Sequence, residues 1–182
     1  MTYPDGSTDT IKDVTIKVTD LAEKHDPKAK PQTVKHGATP NAENSVADFD
    51  KLPKGTTAKF DTTVDTSKPG DKTVNITVTY PDDSTDNITG ATITVGGQAD
   101  DIDAKAAEKP QEVDKNKTPD AQKSVADFDK LPEGTTAKFD NRVDTSEPGD
   151  KTADITVTYP DGSTDTIKDA VSYTHLTLPT SD

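Results

Sequence analysis

The chain repeats itself at long range, and this limits its possible folds more than any other feature. SVADFDKLPKGTTAKFD at 45–61 returns as SVADFDKLPEGTTAKFD at 124–140, with Lys54 against Glu133 as the one difference in seventeen aligned positions. The offset of 79 residues holds from Pro31/Pro110, through Thr39-Pro40/Thr118-Pro119 and Asp65-Thr66-Ser67/Asp144-Thr145-Ser146, to Tyr80/Tyr159. A third, partial copy opens the chain: TYPDGSTDTIKD at 2–13 matches TYPDDSTDNITG at 79–90 and TYPDGSTDTIKD at 158–169. There the offset is 77, so two residues differ in the joint after Val18 and Val95. A period of this length marks one structural unit used more than once. The register predicts the closing hairpin of a preceding, truncated repeat at 1–18, a complete repeat at 19–96, and a second at 97–170 that lacks its final strand. A chain that begins and ends inside its own pattern reads as a fragment of a longer array.

Residues 171–182, VSYTHLTLPTSD, break the pattern. After Asp169-Ala170 the copy should continue like Val14-Thr15-Ile16-Lys17-Val18 or Ala91-Thr92-Ile93-Thr94-Val95. The stretch resembles the in-frame translation of a sequencing adapter, and it is expected to be non-native and outside the fold. Leu178-Pro179-Thr180-Ser181-Asp182 approaches an LPxTG sorting signal but differs at its last two letters and is followed by no apolar segment or basic tail.

Within each repeat the apolar period is two. Val74, Ile76, Val78 and Tyr80 alternate with Asn75, Thr77 and Thr79, as do Ala153, Ile155, Val157 and Tyr159 with their neighbours, the pattern of a strand with one buried face. Pro81-Asp82-Asp83-Ser84 and Pro160-Asp161-Gly162-Ser163 supply turn residues, and Ala91, Ile93 and Val95 begin a second alternating run. The pair predicts a β-hairpin. Lys68-Pro69-Gly70-Asp71-Lys72 predicts a further turn beside a long strand through Ala58, Phe60 and Val64. One short helical segment per repeat is expected, capped by Ser45 and presenting Val46, Phe49 and Leu52 before Pro53 and Gly55 stop it. The fold class is therefore mainly β: tandem small sandwiches with a thin core around Phe49, Phe60, Tyr80 and their equivalents. Leu, Ile, Val and Phe contribute 30 of 182 residues, a fraction at which a charged chain is commonly disordered, so it is the ordered patterning that argues for a fold.

Charge excludes several functions. The chain has 34 acidic and 21 basic side chains, net -13, and Arg142 is the lone arginine, which leaves no basic footprint for nucleic acid. It has no cysteine, so disulfide frameworks, thiol catalysis and Cys-type zinc sites are absent. No apolar run reaches the ~18 residues of a membrane helix. No catalytic, cofactor-binding or metal-ligating residue is expected, and no cofactor. Asp5-Gly6-Ser7-Thr8-Asp9 and its copies could gather calcium, but turn chemistry explains them better, because the spacing lacks D-x-D-x-D-G and a distal glutamate. Asp48, Asp50 and Lys51, with Asp127, Asp129 and Lys130, read as solvated turns rather than acid/base pairs. His25 and His36 have no histidine counterpart in the second repeat, and His175 lies in the divergent tail. Ser45 belongs to no nucleophile motif. Asn75, Asn87 and Asn116 satisfy the N-glycosylation pattern by chance in a Thr-rich sequence. Tyr80 and Tyr159 are expected in half-buried strand packing, and the Gly96-Gly97 joint is expected to be looser than Thr19-Asp20-Leu21.

VDTSKPGDKTVNITVTYPDDSTDNI at 64–88 and VDTSEPGDKTADITVTYPDGSTDTI at 143–167, each preceded by SVADFDKLPxGT and set at a near-79-residue period, resemble the Rib/alpha-like repeat family of Gram-positive surface proteins. The resemblance covers nearly all of 1–170. It implies an immunoglobulin-like β-fold with some strands reduced, strung in tandem on a wall-anchored stalk, and an extracellular, cell-surface place. The implied role is a structural spacer of an adhesin-type protein. The alternative is that the repeats themselves bind a host-surface protein or glycan. No enzyme is expected; the fragment is expected to be monomeric, with any host partner engaged through the parent protein.

Overall fold

In the computed structural model the backbone is described for residues 1–175 and the side chains for 1–170. Two four-stranded sheets account for most of the regular structure. β1 (Gln32–Val34), β2 (Thr57–Phe60), β3 (Gly70–Thr79) and β4 (Thr85–Val95) form the first, in the order β1-β4-β3-β2. β5 (Gln111–Asp114), β6 (Thr136–Phe139), β7 (Gly149–Thr158) and β8 (Thr164–His175) repeat it as β5-β8-β7-β6. In each sheet the long central hairpin is antiparallel, one short strand joins it antiparallel, and the other runs parallel to the last strand. The chain is thus mainly β, in two immunoglobulin-like units.

The hairpin follows from the alternation, with one irregularity that the alternation also encodes. Val74, Ile76, Val78 and Tyr80 on β3 and its end are buried, as are Ile88, Ala91, Ile93 and Val95 on β4. The step from Ile88 to Ala91 is odd, and a strict period of two would turn Ala91 outward. A β-bulge between Val74 and Ile76 restores the phase, with Gly90 in the left-handed region at φ 73°. The second repeat bulges between Ala153 and Ile155, where Asp169 takes the left-handed position at φ 52°.

The layer opposite each sheet is reduced to irregular chain. Among the described residues its ladder is a bridge between Ala29 and Val46, flanked by Lys30 N–H to Ser45 O at 2.8 Å and Ala47 N–H to Lys28 O at 2.8 Å. Ala106 and Val125 form the same bridge in the second repeat. Ala42 and Val46 pack from this layer onto Ile76 and Val78, and Ala121 and Val125 onto Ile155 and Val157.

Several sequence expectations are corrected here. The single helical segment is two 3-10 turns, Ala42–Ser45 and Phe49–Lys51. Asn41, not Ser45, caps the first by accepting the Glu43 N–H at 3.0 Å, and Ser45 closes it with 0% exposure. Short polar side chains that bond their own backbone compete with α-helix growth, which favours the tighter turn. A further short turn opens each repeat, a 3-10 turn at Ala22–Lys24 and the helix α1 at Gln98–Asp101. The strand through Ala58 and Phe60 ends at Phe60. Its last rung is Asp61 N–H to Asn75 O, the Asp61 carboxylate takes the Thr77 hydroxyl at 2.7 Å, and Val64 returns to the core from outside the sheet.

The tail also differs from expectation. The backbone of 171–175 continues β8, pairing with β7 on one side and with Gln111–Asp114 on the other. Strand ladders join main-chain groups, so a change of side chains does not by itself end one. The LPTSD letters at 178–182 lie outside the described residues. At the other end, 1–18 form the turn and a bridge between Thr2 and Thr8, without a sheet to join.

Candidate functional site

The feature built most alike in every copy is the hairpin turn. Asp82 Oδ1 accepts the Ser84 hydroxyl at 2.6 Å and its N–H at 3.2 Å, closing an Asx turn. Asp161 does the same with Ser163 at 2.6 and 2.9 Å, and Asp5 with Ser7 at 2.7 and 3.0 Å. Behind the turn the tyrosine hydroxyl donates across the hairpin: Tyr80 to Asp86 at 2.8 Å, Tyr159 to Asp165 at 2.7 Å, and Tyr3 to Asp9 at 2.9 Å. Tyr80 and Tyr159 are each 2% exposed. Burial, then the hydrogen bond to the aspartate, raises both phenols well above their ordinary range.

The remaining acceptors of that turn hold the start of the repeat. Asp82 Oδ2 accepts the Leu21 N–H at 2.8 Å, and Ser84 Oγ accepts the Ala22 N–H at 3.0 Å. The second repeat reproduces this with Gln98 N–H to Asp161 at 2.7 Å and Ala99 N–H to Ser163 at 3.0 Å. The orphan N–H groups of a short helical turn are thereby satisfied from a distant hairpin. The Ser84 hydroxyl bond holds the Asp82 carboxyl below the usual range, against the opposing effect of burial and with help from the Leu21 N–H. At Asp161 burial pushes upward most strongly, and the Ser163 hydroxyl and backbone N–H donors together bring the net shift down.

Both glycines of the joint have their N–H groups bonded. Gly96 N–H reaches Val34 O at 2.8 Å, and Gly97 N–H reaches the Asp100 carboxylate at 2.7 Å. A Cβ on Gly97 would lie 2.6 Å from the Ser163 Cβ, so this approach of chain to hairpin requires glycine. Lys35, just after β1, forms an ion pair with Asp101 across the joint.

The other candidates stay separate. Asp48 pairs with Lys51, and Asp127 with Lys130, each at 3.0 Å on exposed turns. His25 stacks on Tyr80 with ring centroids 5.5 Å apart, whereas His36 meets the Ser67 carbonyl at 3.1 Å. Of His175 the backbone alone is described, within β8. Ser45 Oγ reaches only Gln32 Oε1, at 3.5 Å. Asn75 and Asn87 are exposed on β3 and β4, and Asn116 in the turn after β5; Asn75 is engaged at the bulge, accepting the Gly90 N–H at 3.1 Å. Among the described residues no three acidic or histidine side chains gather as a metal site, and no helix is long and apolar enough to cross a membrane. A shallow groove recurs beside β2 and β6, about 680 Å³ over Pro40, Phe60 and Val64, and about 610 Å³ over Pro119, Phe139 and Arg142. The clamp on the repeat start was missed from sequence. Its signal was there in the Asp-x-Ser and Tyr-to-Asp spacings shared by all three copies.

Two near-identical β-units, each with its first residues clamped by its own long hairpin, define a tandem-repeat β-module protein. The chain belongs to the Rib domain family, whose model matches residues 22–97 and 98–174. It is 33% identical over 192 aligned positions to the C protein alpha-antigen of Streptococcus agalactiae, a match that takes in 100% of this chain and 19% of that relative. The chain therefore spans about a fifth of that relative's length. A solved Rib structure from Streptococcus pyogenes is 34% identical, with a TM-score of 0.39, covering 41% of this chain and 96% of the other.

Proposed function

We propose that these repeats are the stalk of a cell-wall-anchored bacterial surface protein of adhesin type, a non-enzymatic spacer that projects a distal domain. In this reading 1–18 close a preceding repeat, 19–96 and 97–170 are successive units, and the letters from 171 on depart from the repeat while the backbone of 171–175 still completes its last strand. The observation that carries it is the short joint, where Gly96 bonds back to Val34 in its own unit, Gly97 bonds forward to Asp100 in the next, and Lys35 pairs with Asp101 across it. A stalk works by geometry: strands the length of β4, at ~3.3 Å per residue, add a few nanometres per unit, so repeat number sets reach. The acidic surface keeps neighbouring stalks soluble and mutually repelling.

Small-angle scattering on the whole chain tests this. An elongated two-body profile that loses its fixed spacing in Gly97→Val supports the spacer. A random-coil profile without a melting transition overturns it. The second reading, direct adhesion to a host protein or glycan, has the recurring groove in its favour. Against it, Tyr80 and Tyr159, which could have formed a recurring exposed aromatic platform, are buried. Binding to host cells that is lost in Arg142→Ala would favour adhesion over spacing.

A further inference from the structure

Each sheet has an open edge, at β2 in the first repeat and at β6 in the second. Asp61 N–H to Asn75 O at 3.0 Å and Asp140 N–H to Asp154 O at 2.9 Å fix which residues of these strands bond inward. Rungs of an antiparallel ladder alternate, so Thr57 and Lys59 face β3, while Ala58 and Phe60 turn their N–H and C=O groups away from it. Ala137 and Phe139 do the same on β6. Among the described residues no other backbone group bonds to any of them. The Phe60 and Phe139 side chains are half-buried against the two cores, and each lines the groove beside its edge, with Pro40 and Val64 or Pro119 and Val143. An open edge with an apolar groove along it has both parts that strand addition needs: main-chain groups to bond, and room for alternate side chains.

Such an edge invites pairing with a second copy. Here Lys59 and Lys138 lie within the edge strands on their exposed face, so two like edges would set lysine near lysine, between chains of net charge -13. The same lysines suit a strand with carboxylates on the matching face. The two grooves differ in charge, because the edge strands are identical but Thr62-Thr63 becomes Asn141-Arg142 just beyond them. The charged lining of the first groove is Lys59 and Asp61. The second has Lys117, Lys138 and Arg142, all exposed, against Asp120 and Asp140. Those two carboxylates are already engaged, Asp120 by Gln122 N–H at 3.0 Å and Asp140 by the Thr156 hydroxyl at 2.6 Å. Asp144, close to Arg142, likewise accepts Ser146 N–H at 2.9 Å. In a strongly acidic chain, the lone arginine lines this groove.

We propose that the β6 edge takes an extended, acidic segment of a partner protein as an added strand. Alternate apolar side chains of that segment lie over Phe139 and Val143, and its carboxylates lie beside Lys138 and Arg142. The outward N–H and C=O groups of Ala137 and Phe139 supply the main-chain bonds. β2 takes the same segment more weakly, since Ala38 and Thr63 stand where the second repeat has Lys117 and Arg142. This inference rests on the adhesion reading of the groove and narrows its ligand to a protein segment; the spacer role is independent of it.

The test is an NMR titration of the whole chain with a short synthetic peptide alternating glutamate with valine. One control peptide has lysine in place of glutamate, and another is N-methylated at the backbone amides of one edge. The amides of Ala137 and Phe139 should shift at lower concentrations of the acidic peptide than those of Ala58 and Phe60. Arg142→Ala should weaken binding at β6 about threefold, and Thr63→Arg should strengthen it at β2 by a similar factor. Ala137→Pro removes an outward donor without touching the β7 ladder and should weaken binding as well. The N-methylated peptide reads the same bond with the protein unaltered. If it binds as tightly as its parent, plain charge attraction suffices and the added strand is overturned. Equal binding of the lysine peptide overturns it too, as do shifts at neither edge. Host-cell binding that needs Arg142 while the peptides shift neither edge overturns this inference and leaves adhesion standing. Acidic-peptide binding at β6 without any host-cell binding supports the edge as a peptide site and removes the host as its source.

Discussion

At the bulge the two repeats meet one geometric demand with different residues. Repeat 1 places Gly90 in the left-handed position and bonds its N–H to the Asn75 side chain at 3.1 Å. Repeat 2 places Asp169 there, bonds its N–H to Asp154 at 3.1 Å, and adds Lys168 to Asp154 at 2.7 Å. That ion pair raises the Lys168 ammonium and lowers the Asp154 carboxyl from their ordinary ranges. A second contrast lies behind the tyrosines. In repeat 1 His25 stacks on Tyr80, and Pro27 has no N–H to offer. In repeat 2 Ile102 joins the core and Ala104 N–H donates to Asp165 at 3.1 Å. The backbone demand is shared by both units. The side chains that meet it are free to differ wherever a local partner compensates.

The largest test of that view is in the core. Ile76→Ala should destabilise repeat 1, and Ile155→Ala repeat 2, by about 2–5 kcal/mol each. Amide hydrogen exchange should show protection lost in the altered unit alone. Loss in both units would mean that they unfold together and that comparing them as separate bodies fails. Repeat 2, where Ala153 replaces Val74 in the same face, starts from less buried apolar surface, so the same loss should bring it to unfolding at lower temperature than repeat 1.

The tyrosine contrast is smaller. Tyr80→Phe leaves Asp86 without its phenol and should cost about 1–2 kcal/mol, whereas Tyr159→Phe should cost about half that, because Asp165 keeps the Ala104 N–H. Urea denaturation of the two variants reads the difference, and equal losses would break the comparison. The same phenols set an alkaline limit. Their folded values lie above the ordinary 10.0, so their contribution is complete below that pH and is lost as pH rises beyond it. Tyrosinate absorbance of Tyr80 and Tyr159 should therefore appear together with unfolding.

The bulge ranks next. Asp169→Gly should stabilise repeat 2 by about 0.5–1 kcal/mol, and Gly90→Asp should weaken repeat 1 by a similar amount. Adding Thr89→Lys and Asn75→Asp to Gly90→Asp transplants the repeat 2 solution and should recover part of the loss in a thermal melt. The smallest effect belongs to the exposed Asx turns. The Asp82 and Asp161 carboxyls are lowered from 3.8, so what they add to the clamp is present above that pH and fades as pH falls below it. Segment-resolved exchange at Leu21–Ala22 and Gln98–Ala99 should loosen there before the core does.

Much of this was legible beforehand. The alternation of Val74, Ile76, Val78 and Tyr80 announced the buried face, and Pro81-Asp82-Asp83-Ser84 announced the turn. The 3-10 turns were misread because i, i+3 apolar spacing suits a short α-helix and a 3-10 turn alike. The clamp on Leu21 and Ala22 escaped notice because its partners, Asp82 and Ser84, lie some 60 residues away, and local patterning is blind at that range.

The repeat period, the hairpin with its turn and the family resemblance were settled by sequence alone, because apolar alternation and turn chemistry act between neighbours along the chain. Tertiary structure decided where the second layer thinned to irregular chain, why Gly97 must lack a side chain, and that the hairpin turn of each repeat clamps its first residues. Those depend on what a residue meets across space, and the same letters Thr2–Asp13 and Thr158–Asp169 stand in one case outside a sheet and in the other within it.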